Sequence, residues 1–111
     1  MESQQKPSVT YIPRNAESSL QHFASGYPVV LVTGPRQSGK STLVRHAFPD
    51  HHYVSLEDLD QREFAETDPR GFLNQFSGSA ILDEAQRCPA LFSYLQTRVD
   101  ERQQPGEFIL T

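Results

Sequence analysis

The chain has little cysteine, no long hydrophobic run and no excess of positive charge. Its 111 residues include one cysteine, Cys88, which excludes a disulfide framework and a cysteine-based metal site and fits a reducing cytoplasm. No stretch approaches the roughly eighteen consecutive apolar residues that a membrane span needs. Residues 1–8 are polar and lack the apolar core of a signal peptide. We therefore expect a cytoplasmic protein without membrane association.

The charge balance also limits the choice of partners. The net charge is −4, so no overall positive field draws the chain onto nucleic acid, although a local basic groove in a complete protein stays possible. A length of 111 residues and a hydrophobic content of 36% suffice for one small domain with one core. We expect residues 1–10 to form a flexible tail and residues 11–111 to form the domain.

One stretch dominates what is present. The aliphatic run Val29–Val32 leads into residues 34–41, which match the pattern G-x-x-x-x-G-K-[ST] of a phosphate-binding loop. A buried parallel strand reads as such an aliphatic run, and the helix that follows the loop directs its free N–H groups at phosphates. Lys40 would neutralise the β- and γ-phosphates, and the Ser41 hydroxyl would bind Mg²⁺. The predicted phosphate-binding residues are Gly34, Pro35, Arg36, Gln37, Ser38, Gly39, Lys40, Ser41 and Thr42.

A Gly-rich turn between a core strand and a helix is the simpler explanation of this stretch. It accounts for Gly34 and Gly39, but not for a lysine and a hydroxyl at the start of the helix. Arg36 lies inside the loop, where it would either approach bound phosphate or brace the loop against an acidic neighbour.

A second motif follows about forty residues later. Residues 80–84 are three apolar residues followed by Asp83 and Glu84, which places two carboxylates at the end of a predicted strand. Ligands of parallel sheets bind at this edge. Asp83 would hold Mg²⁺, and Glu84 would orient and deprotonate the attacking water. An ordinary strand that ends in a polar loop is the alternative, and the upstream phosphate loop argues against it.

The remaining elements follow from periodicity and from capping residues. We predict helices from Asn15 to about Ser25, from the loop to Pro49, after Asp68-Pro69 and after Pro89, and strands at residues 53–56 and 108–110. The acidic stretch from Glu57 to Asp68 is typical of a solvated helix face with its loops.

Several polar residues have a weaker case. His46, His51 and His52 cluster in the sequence, but their spacing is a weak indication of a metal site. Arg87, Arg98 and Arg102 are predicted to face solvent rather than to act as arginine fingers on a neighbour's γ-phosphate.

The chain closely resembles a group of prokaryotic AAA-type ATPases, in which an ATPase module precedes a C-terminal nuclease-like domain of unknown function. The resemblance covers residues 11–111 and rests on the segments VLVTGPRQSGKSTL (30–43), YVSL (53–56), DPRGFL (68–73), ILDEAQR (81–87) and FILT (108–111). It implies a three-layer α/β P-loop NTPase of the additional-strand class, with a parallel sheet in the order 5-1-4-3-2. It also implies ATP and Mg²⁺ as cofactors, Lys40 and Glu84 as catalytic residues, and Thr111 as the polar residue that senses the γ-phosphate.

The family's fifth strand, lid helices and arginine finger would lie beyond residue 111, so we expect a domain truncated after its fourth core strand. The leading functional hypothesis is an ATPase module that binds Mg²⁺-ATP and hydrolyses it when complete. The alternatives are a nucleotide-binding fragment without turnover and a small-molecule kinase, which would not need the tandem Asp83-Glu84. A GTPase would need glycine in place of Gln86. Without a fifth strand, the Val29–Val32 strand would be an exposed edge, and we expect possible self-association there.

Overall fold

The computed structural model describes residues 17–32 and 39–111. The predicted tail of residues 1–10 and the predicted helix cap Asn15 lie outside these ranges. The described strands are β1 (Val29–Leu31), β2 (His52–Ser55), β3 (Ala80–Asp83) and β4 (Phe108–Leu110). The described helices are α1 (Glu17–Gly26), α2 (Lys40–Ala47), α3 (Leu59–Thr67), α4 (Pro69–Asn74) and α5 (Leu91–Arg102), with a 3₁₀ turn at Ala85–Arg87.

The four strands form one parallel sheet in the order β1-β4-β3-β2. This order reproduces the 1-4-3-2 part of the expected arrangement. Ile81 lies in register between Tyr53 of β2 and Ile109 of β4, which in turn pairs with Val30 of β1. The sheet and its helices confirm an α/β fold of the P-loop NTPase type.

Helices cover both faces of the sheet, so each strand alternates between two cores. On one face, Val30, Ile81 and Ile109 pack against buried residues of α1 and α2. On the other face, Leu82 and Phe108 pack with buried residues of α3, α4 and α5. All four residues of β3 are buried. The central strand that carries the second motif is therefore held rigidly between two apolar layers.

Side-chain caps explain where α3 and α4 begin. Asp58 Oδ1 accepts a hydrogen bond of 2.9 Å from the Asp60 amide, and Asp68 Oδ1 accepts one of 3.0 Å from the Gly71 amide. Pro69 occupies the first position of α4, where its missing N–H is not needed. The prediction that Asp68-Pro69 opens a helix is confirmed. The acidic side chains between Glu57 and Asp68 are exposed, as expected of a solvated face.

The prediction for Arg98 is wrong. Arg98 is buried, and its guanidinium donates to the carbonyl oxygens of Leu73 at 2.7 Å and Phe76 at 2.6 Å. It also contacts the fully buried carboxylate of Glu107 at 3.4 Å. The Leu73 carbonyl lies in the last turn of α4 and the Phe76 carbonyl two residues beyond its end, where a cation is favoured by the helix dipole. Arg98 therefore joins α5 to the end of α4 and to the start of β4.

No helix in the described part of the chain is both long enough and apolar enough to cross a membrane.

Candidate functional site

The two sequence motifs meet at the carboxyl edge of the sheet. Asp83 is the last residue of β3, and Ser41 is the second residue of α2. The Ser41 hydroxyl donates a hydrogen bond of 2.6 Å to Asp83 Oδ2. Two residues that lie 42 positions apart in the chain are thus in direct contact, as expected if both serve one ligand.

The start of α2 depends on a glycine. Gly39 caps the helix with φ 87° and ψ 14°, in the left-handed region where side chains with a Cβ are strained. Lys40 is the first residue of the helix and is half-buried. Thr42, which follows Ser41, is exposed. The loop residues Gly34, Pro35, Arg36, Gln37 and Ser38 lie outside the described residues.

Thr111 lies beside Asp83, directly after the neighbouring strand β4. Its buried hydroxyl donates to Asp83 Oδ1, and its amide donates to the carbonyl of Leu82 at 3.1 Å. In the structure the hydroxyl thus contacts the carboxylate that we predict to bind metal. The predicted role of Thr111 in sensing the γ-phosphate stays a prediction.

Tyr53, which no sequence motif marks as a site residue, also contacts Asp83. The Tyr53 hydroxyl donates a hydrogen bond of 2.5 Å to Asp83 Oδ2, the oxygen that Ser41 also contacts. The guanidinium of Arg45 lies over the Tyr53 ring, 4.3 Å from its centroid. Burial, followed by the Asp83 carboxylate, raises the pKa of Tyr53 to about 12, so the phenol stays a donor. Because neighbouring side chains on a strand face opposite sides of the sheet, Tyr53 is expected to point away from the core that contains Val54. No sequence signal identifies Asp83 as its partner.

Asp83 is charged despite its burial. Burial raises its pKa, but the hydrogen bonds from Ser41, Thr111 and Tyr53 together outweigh burial and hold the pKa below its usual value. The Asp83 carboxylate is therefore anionic at neutral pH, which is the state that a cation would need.

Glu84 has an unusual backbone conformation and close partners. Its φ of 58° and ψ of 43° lie in the left-handed region, which is uncommon for a residue other than glycine. Its Oε1 accepts a hydrogen bond of 2.8 Å from Gln86 and lies 3.6 Å from Arg87 Nε. Arg87 also approaches Glu57 at 4.0 Å. The Glu84 carboxylate therefore contacts the turn that follows it.

The donor set at Asp83 suits magnesium. Mg²⁺ prefers oxygen ligands and is usually held by one or two protein groups together with phosphates and water. Asp83 and Ser41 supply one carboxylate and one hydroxyl in contact with each other. Over residues 17–32 and 39–111, no group of three or more His, Cys, Asp and Glu residues is arranged to hold a metal. His51 Nε2 instead contacts the Gly106 carbonyl oxygen at 2.8 Å, and the His52 ring packs edge-on against Phe76.

The parallel sheet with helices on both faces is that of a P-loop NTPase-like protein. The AAA domain family matches residues 26–111, which is most of the chain, and the chain belongs to this family. It is an ATPase-like nucleotide-binding module.

The chain is similar to an uncharacterised protein of Mycobacterium tuberculosis and to one of Mycobacterium bovis. Each is 38% identical to it in an alignment 100 residues long, and the alignment covers 87% of this chain and 22% of the relative. The chain therefore spans less than a quarter of the length of these relatives. No solved structure gives a significant match.

Proposed function

We propose that this module binds ATP together with Mg²⁺ at the edge formed by α2 and β3. The observation that carries the proposal is the 2.6 Å contact between Ser41 Oγ and Asp83 Oδ2. It joins the last position of the phosphate-loop pattern to the acidic end of a central strand. Neither a plain Gly-rich turn nor an ordinary strand end requires this pair.

The roles of the binding residues follow from their chemistry. The phosphates would accept hydrogen bonds from the amides of residues 34–42 at the N-terminus of α2, where the helix dipole favours negative charge. The Lys40 ammonium would balance the charge of the β- and γ-phosphates. Ser41 and Asp83 would hold Mg²⁺, which supplies further neutralisation of phosphate charge.

We further propose that a protein as long as the relatives hydrolyses the bound ATP. Glu84 directly follows Asp83 at the carboxyl edge of the sheet, from which its carboxylate would approach the γ-phosphate. It would accept a proton from the attacking water, and Thr111 would sense the γ-phosphate. The chain covers 22% of the length of its relatives, and we propose turnover for a protein of the relatives' full length.

Nucleotide binding without turnover is the second candidate. It is favoured by the hydrogen bond that Glu84 Oε1 accepts from Gln86 at 2.8 Å and by the Arg87 guanidinium 3.6 Å away, since both would have to move aside before this oxygen accepts a proton from water. Phosphate release measured at saturating ATP separates the two candidates.

Calorimetric titration with ATP in the presence of Mg²⁺ tests the binding proposal. Lys40→Ala should weaken ATP binding by roughly 10–100-fold, because each lost hydrogen bond to a charged group contributes about 1.5–3 kcal/mol. Lys6→Ala is a matched control, since it removes the chain's other lysine and changes the net charge equally. Equal ATP affinity in the two variants would refute the proposed site.

A further inference from the structure

The Asp83 carboxylate is shared by three hydroxyl groups from three different parts of the fold. Thr111, after β4, donates to Oδ1, while Ser41 from α2 and Tyr53 from β2 both donate to Oδ2. The phosphate-loop pattern accounts for Ser41, and the resemblance gives Thr111 a role of its own. Neither the sequence motifs nor the proposed function assigns a role to Tyr53.

The sheet register explains how Tyr53 reaches this carboxylate. Tyr53 pairs with Ile81, which precedes Asp83 by two residues and shares its face of the sheet. Two residues span about 7 Å along a strand. A phenol covers this span when it leans along the strand, whereas a serine or threonine at position 53 would not reach Asp83.

The helix that supplies Ser41 also restrains the tyrosine ring. Arg45 lies four residues after Ser41, so both side chains occupy the same face of α2, one turn apart. The Arg45 guanidinium rests 4.3 Å from the centroid of the Tyr53 ring, in cation–π geometry. The same face of α2 thus contacts the Tyr53 ring through Arg45 and donates, through Ser41, to the oxygen that also accepts from Tyr53.

We propose that Tyr53 is a positioning residue for the metal-binding carboxylate, and this inference rests on the proposed function. Tyr53 and Thr111 place one hydroxyl on each oxygen of Asp83 and so fix the plane of the carboxylate. Ser41 is the one donor of the three that the proposed function also assigns to Mg²⁺. Asp83 therefore keeps its orientation through two partners that are not metal ligands, as outer-sphere groups do in metal sites.

A purely structural role for Tyr53 makes a different prediction. If the hydrogen bond of the half-buried Tyr53 phenol only stabilises the fold, removing the hydroxyl would lower the stability of the fold. It would leave the metal dependence of nucleotide binding unchanged. A positioning residue changes how strongly Mg²⁺ supports ATP binding. The decisive quantity is the Mg²⁺ concentration that gives half of the metal-dependent gain in ATP affinity.

The test is Tyr53→Phe, which keeps the ring and its contact with Arg45 and removes only the hydroxyl. In calorimetric titrations of the 111-residue chain with ATP over a series of Mg²⁺ concentrations, we expect the half-effective concentration to rise roughly 10–100-fold, the usual cost of losing an outer-sphere partner. ATP affinity in EDTA should stay at the wild-type value. Tyr94→Phe is the matched control, because it removes a hydroxyl from an exposed tyrosine of α5.

A spectroscopic readout complements the titration. With Mn²⁺ and ATP, the electron paramagnetic resonance spectrum should be the same for wild type and Tyr94→Phe and altered for Tyr53→Phe. A folded Tyr53→Phe chain whose half-effective Mg²⁺ concentration lies within about threefold of wild type would overturn the positioning role, while wild-type ATP binding would still support the proposed function.

Folding of the variant is checked by its thermal melt. If Tyr53→Phe is unfolded at the assay temperature, Arg45→Gln replaces it, since this change removes the cation over the ring and keeps the hydroxyl. For Arg45→Gln we expect a rise in the half-effective Mg²⁺ concentration that is smaller than the one expected for Tyr53→Phe. Such a rise supports the inference, and no rise overturns it. A wild-type chain that binds no ATP overturns both this inference and the proposed function.

Discussion

Replacing Arg98 should destabilise the fold far more than replacing its neighbour Arg102. Arg98→Met keeps much of the aliphatic stem and removes the guanidinium. The change leaves the Leu73 and Phe76 carbonyl oxygens without the bonds of 2.7 and 2.6 Å that they accept from Arg98. It also removes one of the two cations beside the fully buried Glu107.

The expected magnitude follows from what is left unpaired. A buried acceptor left without any partner costs about 1–3 kcal/mol; this applies to the Phe76 carbonyl, since the Leu73 carbonyl still accepts from the Phe76 amide at 3.2 Å. Breaking a buried ion pair from one side costs about 3–5 kcal/mol. Because Arg102 still contacts Glu107 at 3.1 Å, the contributions do not add fully. We expect a loss of about 3–5 kcal/mol, which is large against the roughly 5–15 kcal/mol that stabilise a typical domain.

Arg102→Met is the matched control, because it makes the same change in charge and touches the same carboxylate. The Arg102 side chain is 33% exposed, and Arg98 still contacts the buried Glu107 carboxylate in this variant. We therefore expect a smaller loss of about 1–2 kcal/mol, the order of one hydrogen bond to a charged group. Urea unfolding followed by circular dichroism gives both values. Equal losses in the two variants would refute the argument that the buried contacts of Arg98 stabilise the junction of α4, α5 and β4.

Two further predictions concern single residues. In a form of the protein that hydrolyses ATP, Glu84→Gln should keep ATP affinity and lower phosphate release by about 10²–10⁴-fold, the usual contribution of a general base; near wild-type turnover would assign the base to another group. Gly106→Ala should lower stability by about 1–3 kcal/mol, because Gly106 has φ 64° and an added Cβ would lie 2.9 Å from the Ala24 carbonyl oxygen. Gly78→Ala is the control in urea unfolding, since its Cβ would meet nothing within 4 Å; equal midpoints would contradict the strain at Gly106.

Features encoded in contiguous residues were predictable from the sequence. The strands at β1, β3 and β4 follow from aliphatic runs, and the helix starts follow from Asp68, Pro69 and the glycine of the loop. The pairing of Ser41 with Asp83 was implied by the two motifs together. The strand order came from the family resemblance, because residue patterns do not determine which parallel strands are neighbours.

Features that depend on register or on tertiary contacts were not predictable. Tyr53 reaches Asp83 because β2 and β3 pair in one particular register, and nothing local to Tyr53 specifies that register. The sequence predicts that Arg98 faces solvent, because an arginine on an amphipathic helix is usually exposed. Its burial results from the carbonyl oxygens at the end of α4 and from Glu107, which lie 22 to 25 and 9 residues away in the chain.

The same dependence on register makes the candidate site a consequence of the whole sheet. Asp83 is contacted from α2, β2 and β4, and each donor needs its own element in place. A slip of one residue in β2 or β4 would turn Tyr53 or Thr111 to the opposite face of the sheet. β4 is only three residues long, with Glu107 before it and Thr111 after it. The buried contacts of Arg98 with Glu107 therefore stabilise the strand whose far end orients Asp83, which links the stability of this junction to the geometry of the site.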